Sequence, residues 1–244
     1  SFVEKGKGTL IVGDSINAYR EGDILVIGSY IPHVFRSDTR IREESLMHTL
    51  FFNHDSFGKD FFELSDMSGT ASFFKKSEFG MKVQSNKRKI TSWFHLLAHQ
   101  NKVEQIATLL LIINQIAKSK TVPLSSFVYR KSLSDDEGKR MSHVFEYAME
   151  RFNEPITLHE IAAKANMSKN AFCRYFKKST NKTFFQFLIE IRIESACKML
   201  AAQPEYPINT ISEHCGFSNI AHFNRKFKSL KGFTPSQYRS QFRT

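Results

Sequence analysis

Two stretches near the C-terminus place basic and amide side chains on one face of a predicted helix. In both stretches these side chains are spaced by three, four and seven residues, as one face of a helix requires. The faces consist of Lys169, Asn170, Cys173, Arg174 and Lys177 in the first helix and of Ala221, Asn224, Arg225 and Lys228 in the second. Arginine and asparagine can form paired hydrogen bonds with guanine and adenine in a major groove, and lysine suits phosphate. The pattern therefore predicts two surfaces that read a DNA duplex.

The alternative is a pair of ordinary amphipathic helices whose polar faces are only solvated. Phe172 and Phe176 stand four residues apart, as do Phe223 and Phe227, so each helix is expected to bury its phenylalanines opposite the polar face. One such polar face on a single helix would favour the solvated alternative. Two stripes of the same phase, in a basic part of the chain, favour DNA recognition.

The two stretches belong to an internal repeat. Ile161 aligns with Ile211 at an offset of 50, whereas Arg174 aligns with Arg225 at an offset of 51. One residue has therefore been added in the turn between them. Each unit is predicted to contain a helix, a short turn, a second helix and a capped third helix.

Helix caps mark where these helices begin. The S/T-x-x-E/Q capping pattern starts at Thr157, Thr183 and Thr234. Ser168 and Ser218 are predicted to cap the second helix of each unit. Between the units, residues 184–201 predict one helix about 27 Å long, close to the 34 Å repeat of a DNA turn.

The net charge of +11 is unevenly distributed. Residues 139–244 carry 17 Lys and Arg against 8 Asp and Glu, whereas residues 1–138 carry 18 against 16. The excess of +9 in the C-terminal part favours a polyanionic partner such as nucleic acid.

The C-terminal hundred residues resemble the DNA-binding domain of AraC/XylS-type transcription regulators. The resemblance is carried by three stretches, IAAKANMSKNAFCRYFKK, IRIESACKMLA and ISEHCGFSNIAHFNRKFKSLKGFTPSQYR. Asn181 departs from the glycine that this family usually has in the first unit, but asparagine tolerates the left-handed conformation expected there.

The resemblance implies two tandem helix-turn-helix units that contact double-stranded DNA through Asn170, Arg174, Asn224 and Arg225. It also implies a cupin-like sensor barrel, since SFVEKGKGTLIVGDSINAYREGDILVIGSYIPHVFRSD is similar to the regulatory half of that family. A small-molecule effector, a homodimer and the transcription machinery are the further partners implied, and no cofactor is. Because the family has another strand or two ahead of this point, the native N-terminus is expected to be missing.

The predicted fold class is α+β with several domains. Short alternating strands separated by Gly-Asp and Gly-Ser turns predict a partial β-barrel over residues 1–70, with LMHTLFF as a further strand. Residues 71–138 are predicted to be a helical dimerisation and linker region, with a charged hinge at residues 135–138. Residues 139–244 are predicted to be an all-α double helix-turn-helix domain. The basic run at residues 86–89 is expected to be a solvated loop.

The competing hypothesis is a metal-dependent cupin enzyme with a basic helical appendage. His33 stands where cupin enzymes place one metal ligand, but no His-x-His occurs in the sequence, so His33 is expected to line an effector site rather than bind metal. His95 and His99 could form half of a metal site, yet packing beside Trp93 is the simpler interpretation. A third hypothesis is a DNA-repair or architectural protein without a sensor function.

A helix is predicted over residues 102–118, with Val103, Ile106, Ala107, Leu110 and Ile113 on one face. Its apolar residues cover more than one face, so it either packs against the barrel or pairs with a second subunit. The resemblance favours the subunit contact. The longest apolar run, residues 106–117, contains polar residues, and no leader pattern opens the sequence. A cytoplasmic protein without a membrane partner is therefore expected.

Overall fold

The structure is a computed structural model that describes residues 1–38, 44–126, 128, 135–203 and 205–242, with only the backbone at residue 135. The chain divides into two compact units, Ser1–Leu133 and Ser134–Thr244. The first unit combines small sheets with helices, and the second is helical throughout its described part. The two units therefore correspond to the α+β organisation that the sequence predicts.

The strands of the first unit form three small antiparallel sheets. The strands are β1 (Phe2–Lys5), β2 (Lys7–Val12), β3 (Ser15–Arg20), β4 (Leu25–Val26), β5 (His33–Ser37), β6 (Leu46–His48), β7 (Met81–Val83) and β8 (Thr121–Pro123). The sheet orders are β1–β6, β3–β2–β5 and β4–β7–β8. Within the described ranges the strands are not hydrogen-bonded into one closed sheet, so the cupin-like barrel is not confirmed.

The β2–β3 hairpin forms as the alternating pattern predicts. Val12 pairs with Ser15, which leaves Gly13 and Asp14 as the predicted turn. Gly13 has a φ of 55°, a conformation that glycine adopts without steric cost. Leu10, Ile11 and Val12 are buried, so β2 is the central, covered strand of its sheet.

The helices of the first unit follow the strands. They are α1 (Ala71–Ser77), α2 (Lys87–Leu97) and α3 (Lys102–Ala117), preceded by short 3-10 turns at Phe61–Glu63 and Ser65–Thr70. A buried aromatic and aliphatic cluster joins them to the sheets, with Phe73 of α1, Phe94 of α2 and Ile112 of α3 among its members.

Three sequence predictions for this region need correction. The predicted boundary at residue 70 falls inside one compact unit, because β4 pairs with β7, and β7 in turn pairs with β8. The strand predicted from LMHTLFF extends only over Leu46–His48. The basic run at residues 86–89 is not a loop, because α2 begins at Lys87.

The helix predicted over residues 102–118 is α3, and the C-terminal part of its predicted apolar face is buried. Ile113, Ile116 and Ala117 are buried, whereas Val103 is 77% exposed and Ile106 40% exposed. The N-terminal half of the predicted face is thus on the surface. The helix begins at Asn101, whose side chain accepts hydrogen bonds from the backbone of Val103 and Glu104.

The second unit consists of seven helices in its described part. They are α4 (Asp135–Arg151), α5 (Leu158–Lys164), α6 (Lys169–Thr180), α7 (Phe184–Ala202), α8 (Ile208–His214), α9 (Ile220–Lys231) and α10 (Pro235–Ser240). The charged hinge predicted at residues 135–138 is the first turn of α4 instead. In the described part of the chain no helix is both long and apolar enough to cross a membrane.

A buried carboxylate holds the first unit together over long sequence distances. Asp23 is only 1% exposed and lies 2.5 Å from Lys82 Nζ and 3.1 Å from Lys87 Nζ. The backbone N–H of Arg20 donates to the same carboxylate at 3.0 Å. Burial alone would raise the pKa of Asp23. The hydrogen bonds from Lys82, Lys87 and Arg20 together lower it by more, so the pKa lies below its ordinary value.

We expect Asp23→Asn to lower the free energy of unfolding of the first unit by about 1–3 kcal/mol, because two lysines lose a buried anionic partner. Urea unfolding followed by fluorescence of Trp93, the single tryptophan, measures this. Since the folded pKa is depressed, the stabilisation is complete above the unfolded-state pKa of about 3.9 and is lost as the pH falls through the folded value. The difference between wild type and variant should therefore shrink below about pH 4.

Glu21→Gln is the matched control, since Glu21 is exposed in the same loop. An equal loss of unfolding free energy in both variants would show that the carboxylate of Asp23 does not stabilise the fold more than an exposed carboxylate does.

Candidate nucleic-acid interface

The second unit contains the predicted repeat of helix, turn, helix and capped helix. The first copy is α5, a turn at residues 165–168, α6 and the start of α7; the second is α8, a turn at residues 215–219, α9 and α10. The second turn is one residue longer than the first. The change of offset from 50 to 51 that the sequence shows is therefore confirmed as an insertion in this turn.

Both turns reverse direction through the same backbone geometry. The N–H of Met167 donates to the carbonyl of Ala162 at 2.9 Å, and the N–H of Phe217 donates to that of Ser212 at 3.0 Å. Asn166 and Gly216 precede these donors with φ values of 52° and 81°. The paired hydrogen bond and left-handed residue form a helix C-cap of the Schellman kind in each copy.

A second pair of residues in the left-handed conformation ends α6 and α9, the second helix of each copy. Asn181 ends α6 with a φ of 55°, and Gly232 ends α9 with a φ of 79°. The expectation that Asn181 keeps the left-handed turn is thus confirmed. It is the short polar side chain of asparagine that tolerates this region where most residues do not.

The predicted caps are present with one exception. Thr157, Thr183 and Thr234 each form a full capping box. Ser168 caps α6 by accepting from the N–H of Ala171. The prediction for Ser218 is wrong, because the inserted residue moves the cap to Asn219, whose Oδ1 accepts from the N–H of His222 at 2.9 Å.

The phenylalanines of α6 and α9 lie inward, as predicted. Phe172 and Phe176 are fully buried and contact Phe184 at the start of α7, with ring centroids 5.8 and 5.6 Å away. Phe223 and Phe227 are fully buried in a separate cluster with the C-terminal half of α7, including Ala196 and Leu200. Each outer helix is therefore fixed in rotation by two aromatic side chains.

The polar faces lie outward, opposite these phenylalanines. Exposed positions comprise Lys169, Asn170, Cys173, Arg174 and Lys177 on α6, and Ala221, Asn224, Arg225 and Lys228 on α9. Every residue assigned to a candidate DNA-reading surface is thus accessible. Whether each contacts DNA stays a prediction.

Two further lysines are occupied within the fold. Lys182 forms an ion pair with Glu190 of α7 at 2.7 Å, and Lys231 forms one with Glu194. These pairs fasten the C-terminal ends of α6 and α9 to the same helix. Glu190 and Glu194 thus pair with lysines outside the two candidate faces, and these pairs leave the basic residues of the faces themselves unengaged by these two carboxylates.

His222 was missed by the sequence interpretation as part of the second face. It is half-buried on α9, three residues before Arg225. Burial lowers its pKa, and the neighbouring charges of Arg225, Lys226 and Arg192 lower it further. Burial is the larger cause of this depressed pKa, and the three neighbouring cations add to it.

Arg192, in the middle of α7, joins the two copies of the repeat. Its guanidinium donates to the carbonyls of Phe152 and Glu154, at 2.7 and 2.9 Å, in the segment that leads into α5. It also lies over the ring of Phe217, with 5.8 Å to the ring centroid. One side chain therefore holds the entry of the first copy against the turn of the second.

In the first unit, His33 lies where a cavity of about 480 Å³ opens. Its Nδ1 bonds the carbonyl of Ile31 at 2.9 Å. His95 packs against the rings of Phe2 and His48, with ring centroids 5.5 and 6.3 Å away. Among the described side chains no three His, Cys, Asp or Glu residues are grouped as metal ligands would be.

Comparison with known proteins identifies the class of the second unit. The family model of a helix-turn-helix domain matches residues 161–241. The chain is 31% identical over 100 residues to the uncharacterised HTH-type transcriptional regulator YdeC of Bacillus subtilis, covering 41% of this chain and 34% of that protein. It is 19% identical over 242 residues to the Msm operon regulatory protein of Streptococcus mutans, covering 98% of this chain and 83% of that protein.

Among solved structures, the DNA-binding domain of AdpA in complex with a target DNA is 28% identical, with a TM-score of 0.40, and the match covers 45% of this chain and 95% of that one. The chain spans about a third of the length of YdeC and about half, 51%, of the regulator LumQ of Photobacterium leiognathi. Residues 161–241 of the second unit are a helix-turn-helix domain. More narrowly, this domain is of the AraC type.

The turns of the two copies differ in how much room they leave for a side chain. A Cβ added to Gly216 would lie 2.8 Å from the carbonyl oxygen of Phe152 and 2.9 Å from Cα of Asn153. The equivalent Asn166 is exposed. The second copy therefore requires glycine for close backbone approach as well as for its positive φ.

We expect Gly216→Asn to lower the free energy of unfolding of the second unit by about 2 kcal/mol or more, since the new side chain meets backbone atoms. The reciprocal change Asn166→Gly should stay within about 1 kcal/mol of wild type. Urea unfolding of the full chain, followed by far-ultraviolet circular dichroism, measures both. Equal effects of the two changes would contradict the asymmetry between the turns.

Proposed function

We propose that the protein is a sequence-specific DNA-binding transcription regulator that uses α6 and α9 as its two recognition helices. The observation that carries this proposal is the pair of exposed Asn-, Arg- and Lys-bearing faces, each held outward by two buried phenylalanines. Arg174 and Arg225 are the residues suited to guanine, and Asn170 and Asn224 to adenine. Lys177 and Lys228, one turn further along each helix, are suited to phosphate.

The spacing of the two helices supports contact with successive major grooves. α6 packs on the N-terminal part of α7 and α9 on its C-terminal part. With 19 residues, α7 is about 28 Å long, comparable to the 34 Å of one DNA turn. A single chain would then read two neighbouring segments of one duplex.

We expect Arg225→Ala to weaken binding to the preferred sequence by about 1–3 kcal/mol and to relax the preference at one base pair. Lys228→Ala should weaken binding to all sequences alike and lower the slope of log K against log salt by about one unit. The measurement is fluorescence anisotropy with a duplex selected from random DNA by the full chain and with a shuffled duplex.

Lys139→Ala is the matched control for charge alone, since Lys139 is exposed on α4 outside both faces. It should leave the sequence preference and, within error, the salt slope unchanged. If Arg225→Ala and Lys228→Ala each weaken binding to the selected duplex and to the shuffled duplex by the same factor, the assignment of base-reading and phosphate-binding roles is wrong.

We also propose that the first unit controls DNA binding, through a small effector and through homodimerisation. Support for the dimer comes from α3, where Val103, Ala107 and Leu111 form an exposed apolar ridge at i, i+4 and i+8. An exposed apolar stripe on a surface helix is typical of a subunit contact. The opposite face of α3 is buried in the unit itself, so both alternatives left open for this helix apply to different faces.

We expect Leu111→Lys to shift the full chain from dimer to monomer in sedimentation velocity, because a lysine would be buried at the centre of the apolar ridge. Ser92→Lys on α2 adds the same charge at an exposed polar site and should leave the sedimentation coefficient unchanged. A wild-type chain that sediments as a monomer at every accessible concentration would exclude this ridge as the dimer contact.

The competing hypothesis of a metal-dependent enzyme gains no support from the described residues. In the described part of the chain, His33 belongs to no group of three His, Cys, Asp or Glu side chains that could hold a metal. The relatives that match are named as transcription regulators. Metal analysis of the purified full chain, with His33→Ala as the comparison, tests the hypothesis directly.

A further inference from the structure

The cavity of the first unit has walls of a distinct chemical kind. It lies between β4, β5 and β6 on one side and α1, α2 and α3 on the other, and its volume is about 480 Å³. That volume falls within the range of sites that enclose a small organic molecule. Its deeper wall consists of aliphatic and aromatic side chains such as Ile24, Phe73, Phe94, Leu109 and Ile112.

The described residues that line this cavity include no aspartate, glutamate, lysine or arginine. The imidazoles of His33 and His54 are the lining side chains able to carry a charge, and His54 already lies beside the carboxylates of Asp55 and Glu63. A charged ligand would therefore lose its hydration for little compensation, which is costly in an apolar site. A sugar would leave most of its hydroxyl groups without partners for the same reason. The lining therefore selects an uncharged and largely apolar molecule.

The polar groups of the lining are few, and several are already engaged. Ser77 Oγ donates to the carbonyl of Phe74 at 2.7 Å. Asn53 Oδ1 accepts from the N–H of Asp55 at 2.9 Å. His54 lies beside two carboxylates, those of Asp55 and Glu63.

His33 differs from these groups because its hydrogen bond fixes what its other nitrogen can do. The carbonyl of Ile31 has no proton, so Nδ1 of His33 must be the donor in their 2.9 Å bond. In the neutral ring Nε2 is then an acceptor. His33 is exposed at the end of β5 and lines the cavity, so it offers one acceptor near the opening.

Tyr30 is a second exposed residue of the cavity lining, and its backbone is strained. It has a φ of 70°, which is rare for a bulky residue, and it is 60% exposed while it lines the cavity. Backbone strain of this kind is found at ligand-binding segments more often than elsewhere. The strained residue and the acceptor at His33 are thus three residues apart in the same lining.

We propose that this cavity binds an uncharged, mainly aromatic or aliphatic molecule that donates one hydroxyl proton to Nε2 of His33. This inference rests on the proposed function, since it names the chemical class of the effector. The class excludes sugars, amino acids, carboxylates and metal ions as the ligand of this site.

The test uses the full chain and the neutral fluorescent probe N-phenyl-1-naphthylamine. The probe should bind, and naphthalene, 2-naphthol, 2-naphthoate and D-glucose are then compared as competitors at neutral pH. We expect 2-naphthol to displace it at a concentration about two- to tenfold lower than naphthalene, because it gains one hydrogen bond. We expect 2-naphthoate and glucose not to displace it.

One pair of variants locates the binding, and a third variant tests the role of His33. Met47→Trp should fill the cavity and abolish probe binding, whereas Leu46→Trp should not, since neighbouring residues of β6 face opposite sides and only Met47 is among the lining residues described. His33→Ala should retain probe binding but remove the advantage of 2-naphthol over naphthalene. Thermal unfolding of each variant verifies that it is folded.

The outcomes separate this inference from the proposed function. Displacement by 2-naphthoate or glucose as effective as by 2-naphthol, or equal binding by the two tryptophan variants, would overturn the inference while selective DNA binding still stood. If the full chain showed no preference between selected and shuffled DNA, while the cavity bound the probe and 2-naphthol as expected, the proposed function would be overturned instead. A hydroxyl advantage that survives His33→Ala would overturn the assigned role of His33.

Discussion

The packing of two phenylalanine pairs against a single helix is the constraint on which the second unit depends. Phe172 and Phe176 contact one end of α7, and Phe223 and Phe227 contact the other. Because residues four apart lie on one face of a helix, burying these pairs fixes the rotation of α6 and α9 about their axes. The polar faces then have to lie outward. Ion pairs from Glu190 and Glu194 to Lys182 and Lys231 hold the same helices at their far ends.

The architecture of the second unit could be read from the sequence because its determinants are local. A capping box spans four residues and an amphipathic period about seven, so both are visible within a short window. Within the repeat, the predicted cap at Ser218 is wrong because the inserted residue moves the cap to Asn219. The close approach of Gly216 to Phe152 could not be predicted, since the two residues are far apart in the sequence.

The first unit was predicted less well because its determinants are not local. β4 pairs with β7, which comes more than fifty residues later and itself pairs with β8. Asp23 is paired with Lys82 and Lys87. No pattern within a window around Asp23 indicates those partners. A basic run therefore looked like a solvated loop although its first lysine has a buried anionic partner. The position of His33 beside an internal site was expected, but the resemblance to a cupin suggested a barrel that the sheets do not confirm.

α3 gives the proposed control of DNA binding a physical basis, because its two faces serve different parts of the proposal. Leu109, Ile112 and Ile116 line the cavity, whereas Val103 and Leu111 lie on the exposed ridge. A ligand that fills the cavity would press on the inner face of a helix whose outer face is the proposed dimer contact. Coupling between ligand and dimer then requires only that the ligand prefer one position of α3, and a preference of about 1–3 kcal/mol is typical of such coupling. An effector without such a preference could bind tightly and still change nothing.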